Sequence, residues 1–111
     1  MRRATRILVA GIMMAAWVGP AAAQGDAAKG QQLFAAQKCS ICHAVAGKGN
    51  VKHPLDGAGA RLDAATVKLW LTDPKAAEAK TGKVAKPPMK SFASLPAADI
   101  DALVAYVLSL K

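Results

Sequence analysis

The sequence is short of ligands, of aromatic bulk and of acidic charge. Among 111 residues there are two Cys, two His, two Trp, two Phe and one Tyr. So few Cys leave no second Cys pair to complete a zinc site of the paired Cys-x-x-Cys kind. Aromatic poverty leaves little bulky material for a core, so a domain of this size calls for some further staple. Acidic residues number 7 against 15 Lys and Arg, for a formal net charge of +8. The basic residues neither run in blocks nor alternate with aromatics, which argues against a nucleic-acid partner. The longest apolar run, Ile7 to Val18, has 12 residues, against the roughly 20 that a membrane span needs. There is no convincing strand alternation, no internal repeat and no linker, so the chain is one domain at most.

What is present begins with an export pattern. Arg2, Arg3 and Arg6 form a basic start, Ile7 to Val18 an apolar core, and Ala21-Ala22-Ala23 a small-residue cleavage site. Together they predict a cleavable secretory signal over 1–23 and a mature domain over 24–111. An uncleaved membrane anchor is the rival reading, and the short core followed by a cleavage site argues against it. No cysteine stands near that site to carry a lipid. Removal of three arginines leaves 12 basic against 7 acidic residues, a mature charge of +5. Spread as single lysines, that charge suits a solvated surface or the steering of an acidic partner.

The motif that carries chemistry is Cys39-Ser40-Ile41-Cys42-His43, the Cys-x-x-Cys-His pattern of covalent c-type haem attachment. Two thiols bond the macrocycle's side groups, the spacer sets their separation, and the imidazole reaches the iron. A redox-active dithiol would want a βαβ context, which the sequence does not offer. A buried haem would also be the staple that so small a core needs.

Around the motif, Asp26 to Gln37 reads as a helix carrying Gly30, Leu33 and Phe34. A mid-helix glycine costs about 1 kcal/mol relative to Ala, so Gly30 is either an accident or the point where another helix comes close. Ala44 to Ala60 is a glycine-rich loop holding Gly47, Gly49, Gly57 and Gly59, residues that suit sharp turns or backbone lying close to a planar ligand. Asp63 to Thr72 is a second helix, capped by Asp63, with Val67, Trp70 and Leu71 as its apolar stripe and Pro74 ending it. Trp70 is either core or, through its indole N–H, a donor to a haem propionate. Residues 75–93 show little periodicity. A last helix runs from Leu95 or Pro96 to Leu110 and buries Ile100, Leu103, Val104, Val107 and Leu108.

His43 takes one axial position on the iron. Met1, Met13 and Met14 leave with the signal, so Met89 is the sole thioether of the mature chain and His53 its only other imidazole. Met89 follows Pro87 and Pro88, which stiffen its segment; a lone Met is usually a core filler, but on a Pro-rich loop 46 residues past His43 ligation is the preferred reading. His53, ten residues past His43 and just before Pro54, reads as a loop histidine on the same side as His43, with a bis-His site of lower potential as the rival.

These residues together resemble a small bacterial class I cytochrome c over most of 25–111. Gly30 and Phe34 match the first-helix Gly-x-x-x-aromatic pair, and Leu103-Val104-Ala105-Tyr106 matches the last-helix pattern that crosses it. Trp70-Leu71-Thr72-Asp73-Pro74 and Pro88-Met89 match the second-helix ending and the distal loop, with Lys90 where the family often has a proline. Pro54-Leu55-Asp56-Gly57 resembles the Gly-Pro-x-Leu-x-Gly loop, with His53 in place of the leading Gly and one residue fewer between Pro54 and Leu55. The resemblance implies an all-α class I cytochrome c fold, three to four helices and glycine-rich loops wrapped around one covalently bound haem c. It implies attachment at Cys39 and Cys42, axial ligation by His43 and Met89, and supporting roles for the Pro54 carbonyl, as acceptor of the His43 ring N–H, and for Trp70. The expected function is electron transfer, not enzymatic catalysis, by a periplasmic monomer without a membrane anchor after cleavage. Lys38, Lys48, Lys86 and Lys90 would rim the haem edge for an acidic redox partner. Alternatives are a subunit of a larger periplasmic oxidoreductase, or a gas-binding haem protein with an open distal site.

Overall fold

A computed structural model describes residues 26–111 and Gly11. The signal segment predicted over 1–23 otherwise lies outside the described residues. The elements are α1 (Ala27–Ala36), a 3-10 turn (Cys39–Ile41), β1 (Ala44–Val45), β2 (Lys48–Gly49), α2 (Ala58–Arg61), α3 (Ala64–Thr72), α4 (Pro74–Thr81) and α5 (Ala97–Ser109). This is the mostly helical architecture expected from the sequence, with two helices more than the periodicity marked. No helix among the described residues is long and apolar enough to cross a membrane.

Side-chain caps set the helix starts. The Asp26 carboxylate accepts from the amides of Ala28 and Lys29 at 2.9 and 3.1 Å, and Asp63 accepts from Thr66 at 2.7 Å. Asp73 closes α3 and opens α4, accepting from the Ala76 amide at 3.1 Å. Pro74, expected only to end a helix, also starts one: at the first helical position its missing N–H costs nothing. The long polar stretch predicted over 75–93 therefore begins with α4, which ends at Gly82 with φ +71. Only Ala77 of α4 is buried, so the helix has no apolar stripe for sequence periodicity to find. The expected loop over 44–60 contains an antiparallel hairpin with Ala44 paired to Gly49 and Val45 to Lys48, and ends in α2.

The core forms where α1 and α5 cross. Gly30 is buried there, and a Cβ added to it would stand 2.0 Å from the Ala102 carbonyl oxygen and 2.6 Å from the Tyr106 Cβ. The crossing therefore requires glycine. Phe34 packs edge-to-face on Tyr106 with ring centroids 5.5 Å apart, a geometry favoured by the ring quadrupoles. Lys29 pairs with Asp99 at 2.8 Å beside it. Leu103 is the largest fully buried side chain among the described residues, and Ala58, Val67, Leu71, Phe92, Ile100, Val104 and Val107 complete the cluster. The short α2 docks on the far end of α5, where the Gly59 amide donates to the Leu110 carbonyl at 2.8 Å.

Candidate haem site

The attachment motif leaves α1 through Lys38, whose φ of +58 turns the chain sharply into the 3-10 turn of Cys39 to Ile41. Both thiols are unbonded, Cys39 half-buried and Cys42 exposed. Burial pushes the Cys39 thiol above its usual pKa of 9.0, so it is protonated at neutral pH. Cys39 packs against the same apolar cluster that Met89 packs against, together with the partly covered Leu33, Val45, Leu55, Leu62 and Leu95.

His43 is half-buried directly after the motif. Burial lowers its pKa from the usual 6.5, outweighing a hydrogen bond to His53 that acts the other way. The ring is therefore neutral at pH 7, the form that binds a metal. Its Nδ1 lies 3.1 Å from the carbonyl oxygen of His53. With that contact made by an N–H, Nε2 is left as the free lone pair.

The acceptor is one residue earlier than expected: His53, not Pro54. Ala44 and Pro54 form a parallel bridge in which the Ala44 amide donates to the His53 carbonyl at 3.3 Å and the Leu55 amide to the Ala44 carbonyl at 2.8 Å. Successive carbonyls of an extended segment point to opposite sides; the one facing His43 belongs to residue 53. The resembled pattern contained this answer, because its acceptor stands two residues before the Leu, and two before Leu55 is His53. The His53 ring lies 6.4 Å from that of His43, at 71°, and is exposed.

Met89 is half-buried on a loop pinned to α3 and α4. The Ser91 hydroxyl donates to the Thr72 carbonyl at 2.9 Å, the Phe92 amide to the Leu71 carbonyl at 2.7 Å, and the Ala85 amide to Glu78 at 3.2 Å. Lys90 lies over the Phe92 ring at 5.5 Å. Between this loop and the α3–α4 corner is an open cavity of about 290 Å³, lined in part by Met89, Pro88, Asp73 and Glu78. Trp70 lies in the last turns of α3, half-buried and outside the sealed cluster.

Two free thiols at the required spacing, a neutral imidazole with one nitrogen already bonded, and partly covered apolar side chains packed on the same core cluster fit a covalently bound haem. Among the described residues no three His, Cys, Asp or Glu side chains gather into a bare-metal site. Asn50 is a participant that sequence reasoning missed: it bonds the backbone of Ser40, Ile41 and His43. No curated protein matches the sequence. The family model described as Cytochrome c matches residues 27–111.

Proposed function

The chain belongs to the cytochrome c family, proteins of electron transfer that carry covalently attached haem c, and on that premise we propose that it is a periplasmic carrier with His43 and Met89 as axial ligands. Haem c supplies the Fe(III)/Fe(II) couple, and Cys39 and Cys42 hold it through thioether bonds. His43 offers Nε2 while Nδ1 is engaged by the His53 carbonyl. Met89, on a loop tied at both sides to the α3–α4 corner, offers the thioether that raises the potential relative to a second histidine. A site filled on both faces suits electron transfer without bond making. Trp70, half-buried beside this loop's anchor on α3, is the candidate donor to a propionate. Residues 1–23 carry the export signal and leave 24–111 as the mature domain.

The observation that carries this reading is the His43 ring, neutral and held through Nδ1 at 3.1 Å, directly beside two unbonded thiols. A basic rim of Lys38, Lys48, Lys86 and Lys90, none of them ion-paired among the described residues, suits a redox partner with an acidic face.

The test is the visible spectrum of the purified holoprotein. A ferric far-red sulfur-to-iron band, and a ferrous spectrum indifferent to carbon monoxide, are expected. Met89→Ala should abolish the band and admit carbon monoxide. Ready carbon monoxide binding by the wild type would overturn the carrier reading in favour of an open distal site.

A further inference from the structure

Asn50 joins the two backbone segments that surround the proximal imidazole. On one side its amide N–H is shared between the carbonyls of Ser40 and His43, at 3.1 and 3.3 Å. Its Nδ2 donates to the Ile41 carbonyl at 3.3 Å. On the other side its Oδ1 accepts from the Lys52 amide at 3.1 Å, and its carbonyl accepts from the His53 amide at 3.3 Å. The preceding Gly49 has φ +107, and a Cβ there would stand 2.2 Å from the His43 carbonyl oxygen. Only glycine lets Asn50 come this close to the attachment segment.

The Oδ1 bond two residues forward is an Asx turn, a side chain standing in for backbone to fix a reversal. The turn it fixes spans 50–53, and its last residue supplies the carbonyl that His43 meets. That carbonyl serves the His43 ring at 3.1 Å and the Ala44 amide at 3.3 Å. The first distance is within the usual N–H···O range and the second just beyond it, so a displacement of a few tenths of an ångström weakens the hold on the ring.

We propose that Asn50 is a positioning residue for the proximal ligand: its side chain closes the 50–53 turn, presents the His53 carbonyl to His43 Nδ1, and thereby sets the basicity of the imidazole that meets the iron. The inference rests on His43 being an axial ligand. An imidazole whose far N–H is hydrogen-bonded is a stronger donor, and a stronger donor favours ferric over ferrous iron. Loosening the turn therefore raises the reduction potential.

The experiment compares wild type, Asn50→Ala and Asn50→Ser as holoproteins. None changes charge, so a shift in potential is not a Coulomb effect. Potential is read by equilibrium titration, and solvent exchange of the His43 Nδ1 proton by NMR of the ferric protein. Asn50→Ala is expected to raise the potential and speed that exchange, with the far-red band intact. Asn50→Ser keeps a weaker acceptor for the Lys52 amide and should fall between the other two; it carries the test if the alanine protein does not fold. Variants that lose stability while potential and exchange stay at wild-type values would overturn the proposal, leaving Asn50 a structural residue only. Failure of the underlying ligation would look different: the wild type itself would show no hyperfine-shifted His43 ring protons.

Discussion

Gly30 decides how closely α1 and α5 approach, and it does so by having no side chain. In an exposed helix, Gly→Ala would gain about 1 kcal/mol of helix propensity. Here the added methyl would meet the Ala102 carbonyl oxygen at 2.0 Å, a backbone atom that no rotamer change can move. The helices must separate, loosening Phe34 from Tyr106 and uncovering Leu103. Gly30→Ala is expected to lower stability by about 3 kcal/mol, seen as a lower urea midpoint with an unchanged slope. The sequence made this residue legible because a mid-helix glycine with an aromatic one turn later asks for a close neighbour. It was less informative about the proximal acceptor. Pro54 was expected from the resembled loop pattern, whereas a backbone carbonyl is chosen by position alone; with one residue fewer between Pro54 and Leu55 than in that pattern, the contact falls to His53. Asn50 was silent for a related reason. Its role depends on a turn and a positive-φ glycine that bring position 50 onto 40–43, and no spacing in the sequence encodes that approach.

Among the elements, the helices read best where they bury a stripe and worst where they do not. The last helix, with Ile100, Leu103, Val104 and Val107 at helical spacing, was read to within a residue or two of α5. In contrast α4 buries only Ala77 and left no periodic trace, although its start and stop were both written out as Asp73-Pro74 and Gly82. Caps, more than stripes, locate such a helix. Asp63 shows the same chemistry with a pH signature. Hydrogen bonding from Thr66, with a smaller contribution from the charge of Lys80, holds its carboxyl below the ordinary 3.8. Because the folded value is depressed, ionised Asp63 supports the fold. That support is fully present above pH 3.8 and is lost as pH falls through the lower folded value. Asp63→Asn keeps a capping oxygen but cannot titrate. In urea midpoints collected from pH 5 to pH 2, the wild type should lose stability more steeply in the acid limb than Asp63→Asn. Parallel curves would show that the cap does not titrate with folding.

At the scale of the molecule, the charges sort themselves between scaffold and site. All seven carboxylates are committed to helix caps, to the amides of Ala46 and Ala85, or to Lys29, Lys68 and Lys75. Of the eight lysines without an ion pair among the described residues, six fall in the two segments that carry His43 and Met89, at Lys38, Lys48 and Lys52 and again at Lys83, Lys86 and Lys90; the others are Lys80, bonded to the Thr66 hydroxyl, and Lys111. Steering by such a rim makes encounter with an anion faster, and salt screens it with a Debye length of about 8 Å at physiological strength. Oxidation of the ferrous holoprotein by ferricyanide, a small anionic oxidant, should therefore slow as ionic strength rises. Self-exchange between two copies brings like charges together and should speed up over the same range. Lys48→Gln and Lys68→Gln each remove one charge, so net charge alone predicts equal effects. Lys68 lies on α3, 3.7 Å from Asp101, while Lys48 lies on β2 in the hairpin that follows His43. If electrons leave where the two unpaired segments meet the haem, Lys48→Gln slows the ferricyanide reaction and flattens its salt dependence more than Lys68→Gln does. Equal slowing would mean that the overall charge steers and that the rim has no special place in it.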